Sequence, residues 1–292
     1  ASNTTANYNT AIGKNALGSN TTGANNTSVG SLSMTLNTTG ASNVAVGVGA
    51  LDANTTGDQN VAIGSSSLGE NTTADNNSAL GYLALGVNTT GTRNVAVGAL
   101  ALSSNTTAND NVAVGGGTSG VSYAALQSNT TGANNTAVGN GALGANTTAS
   151  ANSAFGYSAL LDNTTGAANT ALGKDALRAN TTGDYNIAVG TDCLTANTTG
   201  DSNTAMGLDA MLTNTTGNYN TAVGALALTN GNHSYNAAFG YQALKASTSG
   251  QQNTAIGYQS CVALTTALYN SALGLQSGRD VTSGSDNVFV GN

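Results

Sequence analysis

The chain has 292 residues with no proline or tryptophan, a formal net charge of −7 and only 7% charged residues, against roughly 25% in an ordinary soluble domain. Six thinly spread basic residues do not make the clustered Lys/Arg surface that a phosphate backbone requires, which argues against a nucleic-acid partner. No apolar run reaches the roughly 20 residues of a membrane-spanning helix, and apolar residues kept on a strict register argue against disorder.

That register is an internal repeat. Aligned on Asn-Thr-Thr, units begin at residues 3, 20, 37, 54, 71, 88, 105, 129, 146, 163, 180, 197, 214, 231, 247, 264 and 281. Fourteen of the seventeen contain 17 residues. The unit at 105 has 24, because Gly116 to Ala124 fills a slot that elsewhere holds two residues; the unit at 231 has 16, and the last stops at Asn292. Positions are numbered below within the 17-residue unit, with the shortened unit aligned on its asparagine at position 7.

Each unit opens with an NTTG corner and runs into a predicted strand at positions 7–10 and a second at positions 13–16. Position 7 is always asparagine: Asn9, Asn26, Asn43, Asn60, Asn77, Asn94, Asn111, Asn135, Asn152, Asn169, Asn186, Asn203, Asn220, Asn236, Asn253, Asn270 and Asn287. Stacked copies of this amide predict a structural ladder of hydrogen bonds. Position 11 is always glycine: Gly13, Gly30, Gly47, Gly64, Gly81, Gly98, Gly115, Gly139, Gly156, Gly173, Gly190, Gly207, Gly224, Gly240, Gly257, Gly274 and Gly291. It marks a turn where a side chain would clash. Position 10 is apolar from Ile12 to Val290, position 9 is nearly always Ala, and position 15 is mostly Leu.

Seventeen residues are too few for a two-helix repeat. The alternation about position 10 has the period of a strand. The predicted fold is therefore all-β: a parallel β-solenoid or β-roll, residues 1–292 as a single solenoid, one coil per repeat, with a loop insertion at 116–124. Position 9 has the opposite parity to positions 8 and 10. With 8 and 10 filling the interior, the Ala column faces outward and offers sister chains a flat packing stripe, which suggests a bundle of rods and a trimer.

The core Asn-Thr-Ala-Val-Gly or Asn-Ser-Ala-Leu-Gly resembles the Asn-Ser-Val-Ala-Ile-Gly head repeats of trimeric autotransporter adhesins. The longer phrases NTAIGYQS at Asn253–Ser260 and NAAFGYQAL at Asn236–Leu244 are similar to β-roll shaft repeats of bacteriophage tail-fibre-like and bacterial surface proteins. The resemblance implies a left-handed roll, a trimer and an extracellular setting.

Side-chain chemistry points away from catalysis. The single histidine, His233, is expected in a surface turn, and acids such as Asp58, Asp184 and Asp201 stand singly, so neither paired acids nor a nucleophile with its base can be assembled. No Gly-Lys-Ser/Thr follows the glycines, and the Ca²⁺-binding nonapeptide is missing. No cofactor and no metal are expected. Cys193 and Cys261 occupy positions 14 and 15 and read as inward packing residues, about 19 Å apart at about 4.8 Å per coil, beyond disulfide reach. Candidate N-glycosylation sites are Asn3, Asn20, Asn37, Asn54, Asn71, Asn88, Asn105, Asn129, Asn146, Asn163, Asn180, Asn197 and Asn214, each heading Asn-Thr-Thr. Asn25, Asn76, Asn134 and Asn232 head further sequons. Tyrosines at position 6 (Tyr8, Tyr185, Tyr219, Tyr235, Tyr269) and position 12 (Tyr82, Tyr157, Tyr241, Tyr258) flank the strand, where they stack or form an aromatic glycan-binding stripe.

The expected function is a structural or adhesive extracellular fibre or filament segment, on a cell surface, in a secreted filament or on a virion. Its expected partner is itself, as a homo-oligomer, a trimer or a head-to-tail filament, because the sequence opens and closes inside the repeat; a cell-surface glycan or receptor is a further partner. The alternatives are an ice- or surface-binding Thr-ladder solenoid and a glycan-binding adhesin.

Overall fold

The computed structural model describes residues 4–120 and 122–291. The chain divides into two compact units, Ala1–Ala151 and Asn152–Asn292, and both are parallel β-solenoids of the same coil. The first unit carries β1 (Thr10–Ile12), β2 (Thr27–Val29), β3 (Val44–Val46), β4 (Val61–Ile63), β5 (Ser78–Leu80), β6 (Val95–Val97), β7 (Val112–Val114) and β8 (Thr136–Val138). The second carries β9 (Ser153–Phe155), β10 (Thr170–Leu172), β11 (Ile187–Val189), β12 (Thr204–Met206), β13 (Thr221–Val223), β14 (Ala237–Phe239), β15 (Thr254–Ile256), β16 (Ser271–Leu273) and β17 (Val288–Val290).

Every strand occupies positions 8–10, and within each unit like pairs with like. Val44, Ala45 and Val46 lie beside Val61, Ala62 and Ile63. The register survives the irregular coils: Val112 pairs with Thr136 across the insertion, and Thr221 with Ala237 across the shortened coil. Thr118 and Ser122 form an antiparallel bridge that closes the inserted loop on itself. The chain then rejoins the coil at Ala125, whose N–H donates to Gly115.

Glycine at position 11 follows from close stacking. Gly64 has φ +135°, and a Cβ there would lie 2.4 Å from the Gly81 carbonyl oxygen of the next coil.

Two expectations are corrected. Positions 13–16 form no second strand; they are turns in which positions 13 and 15 take left-handed backbone, as at Ser66 (φ 53°) and Leu68 (φ 47°). Their N–H groups still bond to neighbouring coils, Ser66 to Val48 O and Leu68 to Ala84 O. A left-handed leucine costs roughly 1–2 kcal/mol; here the cost is offset by full burial of the side chain and by these bonds.

The second correction concerns sidedness. The Ala column faces inward, fully buried at Ala45, Ala62 and Ala96, while positions 8 and 10 face outward. The reason is a thin interior. Where serine replaces alanine at position 9, Ser28 Oγ lies 2.5 Å from Ser33 Oγ at position 14 of the same coil. Opposite walls of the coil therefore touch, and nothing larger than a methyl or hydroxyl group fits between them. The last coil shows the compensation: Phe289 replaces alanine at position 9, and Gly278 replaces leucine at position 15 of the preceding coil. A Cβ at Gly278 would meet Phe289 Cδ2 at 2.8 Å.

Ala62 faces the same kind of partner, Ser67 at position 14. Ala62→Ser is expected to be tolerated within about 1 kcal/mol, and Ala62→Val to destabilise by about 1–3 kcal/mol through overpacking. Thermal melts of the two variants check this order.

Candidate functional site

The asparagine ladder at position 7 clamps one coil to the next. Asn43 Oδ1 accepts the Asn60 N–H at 2.9 Å, while its Nδ2 donates to the Gly57 carbonyl at 2.8 Å. One buried side chain thus satisfies a donor and an acceptor of the following coil. The same clamp recurs in the second unit, where Asn186 Oδ1 accepts from Asn203 N and Asn186 Nδ2 donates to Gly200 O.

The asparagines of the corner sequons form a second ladder. Asn37 Nδ2 donates to Asn20 Oδ1 and to Gly40 O, both at 2.9 Å. The pattern runs to Asn146 in the first unit and from Asn163 to Asn214 in the second. These side chains are fully buried, so in the folded coil none presents its amide to a sugar-transferring enzyme; Asn3 lies outside the described residues. Asn25, Asn76 and Asn134 are exposed at position 6, in left-handed backbone.

Position 5 carries a role that the sequence does not announce. Asp58 Oδ1 accepts the Ala41 N–H at 2.7 Å, and Asp201 Oδ1 accepts the Asp184 N–H at 2.8 Å. The scattered acids at this position cap the backbone of the preceding coil, which explains the alternation of Asp with Asn and Ser there.

The outward strand face of each unit is uncharged. Positions 8 and 10 carry no charged residue in any coil. Position 10 exposes Ile63, Leu80, Phe155, Leu172, Met206, Phe239, Ile256 and Leu273, from 37% at Ile63 to 53% at Leu273. Val48, Tyr82, Tyr157, Leu208, Tyr241, Tyr258 and Leu275 extend the face at position 12. Large apolar side chains at position 10 thus alternate with smaller, often hydroxyl-bearing ones at position 8 on the outer face of each unit. Of the tyrosines, Tyr219 stacks on Tyr235 at 5.3 Å and Tyr241 on Tyr258 at 5.4 Å.

The residues considered for chemistry separate. Cys193 and Cys261 are buried thiols, as their positions predicted. Burial pushes Cys193 up to about 12 and Cys261 up to about 11, which keeps both in the unreactive protonated form. The inserted loop borders an open pocket of about 360 Å³ lined by Gly120, Ser122, Tyr123 and Gln127.

His233 is not a surface turn residue; it is buried. Its Nε2 contacts the carbonyl oxygens of Asn230 and Ser247, the latter at 2.9 Å. The shortened coil has no asparagine for the corner ladder. Asn214 Oδ1, His233 Nδ1 and Ser247 Oγ, from three successive coils, are buried there without hydrogen-bond partners among the described residues. The imidazole plugs a break in the amide ladder, and no carboxylate accompanies it. Among the described residues no group of three His, Cys, Asp or Glu could hold a metal ion, and no helix is long and apolar enough to cross a membrane.

Compared with protein-family models the chain matches none, and a search of curated proteins gives no match.

Two predictions follow from the ladders. Asn60→Ala leaves the Asn77 N–H and one acceptor site on the Ala74 carbonyl unpaired; at about 1–3 kcal/mol per buried group left unpaired, the melting temperature should fall clearly. Burial holds His233 below its ordinary value of 6.5. The unfolded chain binds a proton near that pH that the folded chain refuses, so the contribution of His233 to stability is present above about pH 6.5 and is lost as pH falls below it. Melting temperatures measured from pH 7.5 to 5.5 should decline for the native chain and stay flatter for His233→Gln.

Proposed function

We propose that the chain is a structural, non-catalytic element of an extracellular fibre or filament, and that the outward face of positions 8, 10 and 12 packs against further copies of the same chain. The observation that carries this reading is the exposed large apolar side chain at position 10, repeated in coil after coil on a strand face without charge. Removing such a row from water is worth about 25 cal/mol per Å². A second copy is the fitting partner because its side-chain rows repeat with the same spacing, about 4.8 Å per strand. Rows of equal period interlock along their whole length, whereas a surface of another period falls out of step within a few coils.

The thin interior supports the same reading. Most coils bury one leucine-sized side chain and several small ones, so burial against a neighbouring chain adds apolar area that a single coil lacks. The extracellular setting rests on the likeness of the motif to surface and fibre repeats. The Thr-ladder alternative is weakened at position 2, where hydroxyls such as Thr38 Oγ1 are engaged with the Thr55 carbonyl at 2.9 Å.

The test is solution mass. Light scattering across a concentration series should give a multiple of the chain mass, and a variant with Ile63→Lys, Leu80→Lys and Val97→Lys should fall to the single-chain mass with its circular dichroism unchanged. A native chain that stays single at every concentration overturns the reading.

A further inference from the structure

Position 3 carries a hydroxyl in sixteen of the seventeen units: fourteen threonines, Ser249 and Ser283. The exception is Asn232 in the shortened coil. All sixteen are exposed. Among the described residues, none of these hydroxyls hydrogen-bonds within the chain. At position 2 the neighbouring threonine does: Thr55 Oγ1 donates to Thr72 O at 3.0 Å and Thr181 Oγ1 to Thr198 O at 3.0 Å. Position 2 never changes to serine, in keeping with a fitted, half-buried side chain; position 3 does.

Three explanations for the constant hydroxyl fail. It is not kept for an asparagine sequon, because position 1 becomes Ser247, Leu264 and Val281 in the last three units while Ser249, Thr266 and Ser283 persist. It is not kept for packing, because the side chain is exposed and exchange with serine discards the methyl group. It is not kept for solubility alone, because exposed position 6 ranges over Tyr, Asn, Ser, Gln, Arg, Asp and Ala. What the position retains is an accessible, unengaged oxygen nucleophile.

We propose that the position-3 hydroxyls are acceptors for O-linked glycosylation. A side-chain Oγ attacks the anomeric carbon of a sugar activated as a nucleotide or lipid diphosphate. The bond from that carbon to the diphosphate oxygen breaks, the diphosphate leaves with the electron pair, and the hydroxyl proton passes to a base of the transferase. The acceptors lie at one point of the coil and leave the strand face at positions 8–10 bare. The inference is independent of the fibre reading, since sugar and association are measured separately.

The experiment is intact-mass and electron-transfer fragmentation analysis of the protein isolated from its native source. The expected result is a mass above that of the sequence by whole monosaccharide residues, with the sugar on position 3 and none on position 2. Thr39→Val, made in the same host, should lose the sugar of one site, while Thr38→Val should leave the sugar on Thr39 in place. An intact mass equal to the sequence mass, or sugar found only on asparagine side chains or at position 2, overturns the proposal.

Discussion

The structure depends on a side-chain amide that reaches across one coil spacing. A strand of three residues supplies few ladder bonds of its own, and the rest of each coil is turn, where backbone groups face neighbours at irregular angles. The asparagine at position 7 meets that shortage with one carbonyl and one amide nitrogen, each aimed at the next coil. Its counterpart at position 1 joins amide to amide from Asn20 to Asn146 in the first unit and from Asn163 to Asn214 in the second, and bonds to the corner carbonyl of its own coil. Both are buried, so each bond forms away from competing water, and a missing partner leaves a costly unpaired group. This dependence fixes the period. A coil one residue too long in the wrong place would misalign donor and acceptor in both ladders, and the two irregular coils place their length changes outside the strand.

A polar interior changes what the apolar residues do. With amides on two sides and contact between positions 9 and 14, the inside holds methyl groups and, in most coils, one leucine-sized side chain. The aliphatic and aromatic side chains of position 10 stand on the outer face instead. The usual arrangement of apolar inside and polar outside is therefore partly inverted along the strand, and the inversion creates the surface on which the proposed association rests.

Much of this was legible in the sequence because every position is sampled many times. The period, the strand location, the constant Asn and Gly and the inward cysteines all follow from columns that hardly vary. Sidedness was not legible: alternation separates position 9 from positions 8 and 10 but does not say which side is inside, and only the contact of Ser28 with Ser33 decides it. The left-handed backbone at Leu51 and Leu68 was hidden because leucine carries no preference for it, and tertiary bonds impose it. His233 was misplaced because a lone histidine beside Asn232 and Ser234 looks like a turn, while its burial follows from an asparagine absent from its coil. The sequons looked like surface corners because Asn-Thr-Thr is a surface motif elsewhere; here the same letters are the inner wall. A compensating pair was present in the letters, Phe289 with Gly278, but could be recognised only once neighbouring coils were in contact.

The inserted loop between Gly117 and Ala125 has a wider consequence. The backbone leaves after position 13, closes through the bridge of Thr118 with Ser122, and returns at position 14 with the strands on either side still in register. The coil thus has a seam at which sequence can grow while the stack is undisturbed. Length can therefore change within one storey while the amide ladders above and below it stay aligned.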